Sequence, residues 1–133
     1  MDELWSFVAH KQQQAWIWLA LDYHTREVGG VAVGDRSQTS AQRLWHSLPG
    51  VYRQCAVCYT DFWGAYGCVL PRKRHRAVRK ASGKTNYIER LNNTLRQRVS
   101  RLVRQGLSFS KKWENHEGAL RYFLNHYNLS RQA

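Results

Sequence analysis

Acid is what this chain has least of. Nine Asp and Glu stand against 21 Lys and Arg, and the shortage is local: residues 71–133 hold three acids beside sixteen bases, while residues 1–70 hold six and five. A concentrated excess of this kind points to a polyanionic partner. The bases alternate with aromatic and apolar residues that make a fold, which excludes a disordered basic tail and favours nucleic acid. Long apolar runs are missing as well. The longest, 15–21, is far too short to span a bilayer, and no charged-then-apolar segment opens the chain, so the expectation is a soluble, cytoplasmic protein associated with the nucleoid and with no membrane partner.

Cysteine is scarce too. Cys55, Cys58 and Cys68 cannot all pair, and one C-x-x-C without a second such pair is a poor zinc or redox signal. The six histidines show no H-x-x-x-H spacing, and ordinary surface and partner-forming roles suit them. A G-K-T at 83–85 lacks the earlier glycine that a phosphate-binding loop needs.

At 133 residues the chain has the length of one domain with one core. Residues 2–9 read as a strand with Leu4, Ser6 and Val8 on one face and Trp5 and Phe7 on the other. Residues 11–14 read as a polar turn, 15–23 as a central strand buried on both sides, and 28–33 as a third strand. Ser37 is a suitable cap for a helix over 39–47. A strand over 55–60, a short helix near 62–66 and a weak basic strand at 75–78 follow. In 86–105, Ile88, Leu91, Leu95, Val99 and Leu102 recur at helical spacing as a core stripe, flanked by Glu89, Asn92, Asn93, Arg96 and Ser100. Gly106 breaks that helix. Ser110 caps a last one that buries Trp113, Leu120, Phe123, Leu124 and Tyr127.

This order of elements is that of the ribonuclease-H-like fold, an α/β arrangement with a mixed five-stranded sheet flanked by helices, here with an extra C-terminal helix. In it Asp2 on the first strand, Asp61 at the end of the fourth and Glu89 on the late helix converge. Three close carboxylates repel unless cations lie between them, and hard oxygen ligands suit Mg²⁺. Asp22 and Asp35 also offer acid, but turn and cap chemistry accounts for both. Glu3 alternates to the face opposite Asp2.

The segments M-D-E-L-W-S-F-V, G-D-R-S, Y-T-D-F-W-G-A-Y, I-E-R-L-N-N-T-L-R-Q-R and L-S-F-S-K-K-W-E-N-H resemble the catalytic region of the insertion-sequence-one family of bacterial transposases, in order and over nearly the whole chain. The resemblance implies one DDE transposase catalytic domain over 1–133 that cuts transposon ends and joins their 3′ ends to target DNA. Asp2, Asp61 and Glu89 would be its catalytic triad and hold two Mg²⁺ (or Mn²⁺) ions. Arg96, seven residues after Glu89, matches the basic residue that commonly follows the DDE glutamate and would touch DNA backbone, with Arg79, Lys80, Lys84, Arg90 and Asn93 as further DNA contacts. A homodimer or larger synaptic complex is implied. The family's end-recognition region is not among these residues, so an upstream-frame DNA-binding protein is a further expected partner.

Each residue also has a plainer reading. Asp61 could cap a short helix, Glu89 could be a solvated ion pair, and Asp2 a terminal residue with no ligand. Trp63 and Tyr66 could wall a cleft or simply pack. A non-catalytic DNA-binding remnant, or a resolvase- or ribonuclease-like enzyme on the same fold, would account for the basic half as well.

Overall fold

A computed structural model describes residues 1–8, 10–98 and 113–132. The apolar run becomes β4 (Trp16–Leu21), the middle strand of a three-stranded sheet between β1 (Asp2–Leu4) and β5 (Val28–Gly34), antiparallel to both. Its near-continuous apolarity follows from covering on both faces: Ile17 and Leu19 belong to one core, Trp18 and Ala20 to another.

Beyond β1 the chain differs from the expectation in detail. Trp5 and Ser6 interrupt the first strand, which resumes as β2 (Phe7–Val8). The anticipated turn at 11–14 is instead β3 (His10–Gln14), paired with β2 across a register shift. The exposed Gln12, Gln13 and Gln14 look like a turn in sequence because this strand is solvated on both faces there.

Helix α1 (Gln38–Ser47) begins after Ser37, as its sequence suggests, but the cap comes from Asp35. The Asp35 carboxylate accepts from the Ser37 amide and the Ser37 and Ser40 hydroxyls, and these bonds, those of Ser37 and Ser40 foremost, hold its carboxyl below its usual range. Two glycines let α1 lie close on β5. A Cβ on Gly30 would stand 2.8 Å from Ser47 Oγ, and one on Gly34 2.7 Å from Ser40 Oγ.

The chain after Pro49 turns at once into α2 (Gly50–Cys55), so Cys55 is helical and exposed. Only β6 (Cys58–Thr60) remains of the strand expected over 55–60. Helix α3 (Gly64–Val69) and β7 (His75–Ala77) follow, and β7 pairs with β6 in parallel. Helix α4 (Asn86–Arg98) buries Ile88, Leu91 and Leu95 as the stripe requires. Helix α5 (Trp113–Gln132) adds Leu120 and Leu124 to the same core. Near its end, Asn128 exchanges two hydrogen bonds with the Val28 backbone, at 2.7 and 3.0 Å. Val99, Ser100, Leu102, Gly106, Ser110 and the Trp113 side chain lie outside the described residues.

In place of one five-stranded sheet, the seven strands of the described residues form a three-stranded sheet and the separate β2–β3 and β6–β7 pairs. Among the described residues a single bond to backbone joins the start of β1 to β6, from the Met1 amine to the Tyr59 carbonyl at 2.9 Å. Cys58 and Thr60 bond toward β7, through Cys58 N to Arg74 O and Val78 N to Thr60 O. By alternation Tyr59 directs its own amide and carbonyl toward β1. No described helix is long and apolar enough to cross a membrane.

Candidate metal centre

The seam between β1 and β6 is where the acids gather. Asp2 begins β1 and Asp61 follows the last residue of β6. One carboxylate oxygen from each, with one from Glu3, lies within 4.8 Å of the others. Asp61 is exposed, and its Oδ1 accepts the Trp63 amide at 2.9 Å, so it closes the turn into α3 as well as facing the other acids. Asp2 Oδ2 accepts from Asn92 Nδ2 at 2.8 Å. Because a carboxylate can only accept, the Asn92 amide must turn its oxygen elsewhere. That oxygen is buried and has no hydrogen-bond partner among the described residues.

Glu3 enters the group from the other side of the strand. Alternation does put it on the face of Trp18 and Tyr66, yet its carboxylate still reaches the edge where Asp2 and Asp61 meet. Both its oxygens are engaged: Oε1 accepts from Arg36 Nε and Nη2 at 3.2 and 2.8 Å, and Oε2 from the Tyr66 hydroxyl at 2.7 Å. Tyr66 is 1 % exposed. Burial first, then the Glu3 charge, raises its hydroxyl well above the usual range and keeps it a donor. Tyr66 is therefore core, while Trp63 stands at the surface.

Glu89 lies on the first turn of α4, outside the three-acid group. Its Oε1 accepts from Thr85 Oγ1 over 3.4 Å, a weak bond. Asn92, one turn further along, shows that this helix face meets β1. Arg79, Lys80, Lys84, Arg90, Asn93 and Arg96 all lie at the surface. Lys84 stands 5.7 Å from the centre of the Tyr59 ring and Arg90 5.9 Å from that of Tyr87. A cavity of about 510 Å³, lined by Met1, Tyr23, Tyr59, Lys84 and Thr85 among others, opens beside the seam and holds none of the three acids.

Burial, then the Glu3 charge, push the Asp2 carboxyl up to about 6, opposed by its backbone hydrogen bond and the N-terminal amine, with Asp61 adding the least. A folded-state value above the unfolded one means that protonation favours the fold. In chelator, Asp2 should therefore cost the protein roughly 2–3 kcal/mol above pH 7, a penalty that fades as pH falls through 6 and is gone below 4. Asp2→Asn keeps an acceptor for Asn92. Its melting temperature in EDTA should exceed the parent's at pH 7.5 and match it near pH 4; equal values at both would contradict the strain assigned to this carboxylate.

Oxygen donors alone and crowded like charges fit a hard divalent cation. Sequence reasoning missed Asn92 and the engagement of Glu3. For the latter a signal existed, since an acid within an apolar strand demands a buried partner.

Comparison with known proteins gives the family. A family model described as IS1 transposase matches residues 1–129. The insertion element iso-IS1n protein InsB of Shigella dysenteriae is 35% identical over 126 residues, covering 93% of this chain and 91% of its own. The insertion element IS1 protein InsB of Shigella flexneri is 36% identical over 125 residues, covering 94% and 92%. An IS1 protein InsB of Escherichia coli K12 is 35% identical over 94% of this chain and 72% of its own length. No solved structure matches the chain significantly. A match of this extent, over a chain that brings two acids together at a sheet seam, shows that the protein belongs to the IS1 transposase family.

Proposed function

We propose that this chain is a DDE transposase catalytic domain, occupying 1–133, that cuts the ends of an insertion element and joins their 3′ ends to target DNA. The observation that carries the reading is the meeting of Asp2 and Asp61, brought from two separate sheets to one edge. The Met1–Tyr59 bond supports a ribonuclease-H-like order β5-β4-β1-β6-β7, in which that edge is the middle of one five-stranded sheet.

Asp2 and Asp61 would hold Mg²⁺ or Mn²⁺, with Glu89 as the third acid and two ions the expected number. Bound divalent ions supply charge neutralisation for the attacking and leaving oxygens of an in-line phosphoryl displacement. The chain's own residues set the stage for it. Asn92 fixes the Asp2 carboxylate, the Trp63 amide fixes Asp61, and the weak Thr85 contact leaves Glu89 little tied to its present place. Arg79, Lys80, Lys84, Arg90, Asn93 and Arg96 would bind phosphates without reading sequence. Recognition of the ends would fall to an upstream-frame DNA-binding partner, and pairing of two ends to a dimer or larger complex at the nucleoid.

Purified protein, Mg²⁺, duplex carrying an element end and a target plasmid should give free 3′-hydroxyl ends and then joined products. Salt-sensitive DNA binding with no cleavage under any divalent metal would make the chain a binding remnant. Hydrolysis of RNA–DNA hybrid or branched DNA without joining would make it a nuclease of the same fold.

A further inference from the structure

Arg36 stands next to the acids in an unusual setting. It follows Asp35, whose carbonyl is fixed by Trp18 Nε1 at 2.7 Å, just ahead of α1. Its guanidinium carbon lies 4.1 Å from the centre of the Trp63 ring and 4.8 Å from that of Trp16. Its Nε and Nη2 donate to Glu3, whose carboxylate is one of the three that converge. Glu3 is nearly sealed, with 2 % of its side chain exposed, while Arg36 keeps 40 % in solvent.

We propose that Arg36 binds a phosphate of the DNA strand lying across the acid group, and that Glu3, Trp16 and Trp63 are positioning residues that aim it. This rests on the transposase reading above. A plain ion pair would need neither two aromatic faces nor an acceptor with a second donor, Tyr66, behind it. A guanidinium held in this way has lost its side-chain freedom before any ligand arrives, which lowers the cost of binding one. Five N–H donors radiate from the group. Two serve Glu3, and the Nη1 pair and the second Nη2 hydrogen make no hydrogen bond among the described residues. The planar, bidentate geometry of these donors suits phosphate oxygens. Glu3 therefore acts on the reaction through Arg36, which explains an acid that sits among potential ligands with both oxygens already taken.

The test is DNA binding by the full chain in metal-free buffer, using a short mixed-sequence duplex, across a salt series. Arg36→Gln should make the dependence of log K on log salt shallower by up to about 0.9, the loss of one phosphate contact, and Arg36→Lys should keep the parent's slope. Methylphosphonate replacement, one phosphate at a time along the cut strand of a duplex carrying an element end, should weaken parent binding at a position beside the cut and leave Arg36→Gln indifferent there. Equal slopes and equal methylphosphonate profiles for parent and Arg36→Gln, with only the melting temperature lowered, would reduce Arg36 to a structural ion pair. If Arg36→Gln does not fold, Glu3→Gln answers the question: it keeps the Arg36 charge and should flatten the methylphosphonate profile at the same phosphate, whatever the lost negative charge does to overall affinity, and an unaltered profile overturns the proposal. Failure of the parent to cut DNA would sink the transposase reading while leaving these binding slopes to stand or fall separately.

Discussion

Asp61→Asn is expected to lower metal-dependent nicking by about a thousandfold or more, because members of a catalytic unit fail together when one is removed. The substitution is nearly isosteric, and the amide oxygen can still accept the Trp63 amide that closes the turn into α3. What disappears is one negative charge and one ligand oxygen facing Asp2 and Glu3. Folding should not suffer, since relief of like-charge crowding acts in its favour. DNA binding should persist or tighten for the same reason. Single-turnover nicking with saturating Mg²⁺, beside a thermal melt, separates these effects. A folded variant that nicks within about tenfold of the parent, when an essential metal ligand should cost far more, would remove Asp61 from the site.

Trp18→Ala should be the most damaging change to stability. Trp18 is fully buried, meets Tyr66 edge-on at 5.3 Å, and donates from its indole to the Asp35 carbonyl. Truncation leaves a cavity and an orphaned carbonyl, a loss of about 4–5 kcal/mol. Domains of this size have only about 5–15 kcal/mol in all, so the variant should sit near its unfolding threshold at 37 °C. Trp18→Phe, which keeps most of the volume, should lose about 1–2 kcal/mol. Urea denaturation measures both. An alanine variant within about 1 kcal/mol of the parent would mean that the pocket collapses around the gap.

How much of this was legible depended on whether the physics is local. The α4 stripe could be read because burial of Ile88, Leu91 and Leu95 repeats with the turn of the helix, and β4 because a strand covered on both faces needs no polar alternation. The place of Asp61 followed from the end of a short strand. Glu3, by contrast, depends on Arg36 and Tyr66, far away in sequence and both brought in by tertiary packing. Alternation gave its face correctly and could not give the reach of its side chain. The strand at 10–14 was hidden because polar edge strands and turns share a composition, and Cys55 because α2 and β6 are separated by two residues with no breaker between them.

The bond from Met1 to Tyr59 carries a consequence for motion. Strands joined by a ladder slide only when several bonds break at once, whereas among the described residues the seam between β1 and β6 has one bond and opens beside a cavity. The spacing of Asp2 and Asp61 is therefore held less firmly than a full ladder would hold it. A cation lodged between them would rivet the seam, so ion affinity and seam closure would share one free energy and each would strengthen the other. A melting temperature raised by Mg²⁺ in the parent and not in Asp61→Asn would be the trace of that coupling, visible before any DNA is cut.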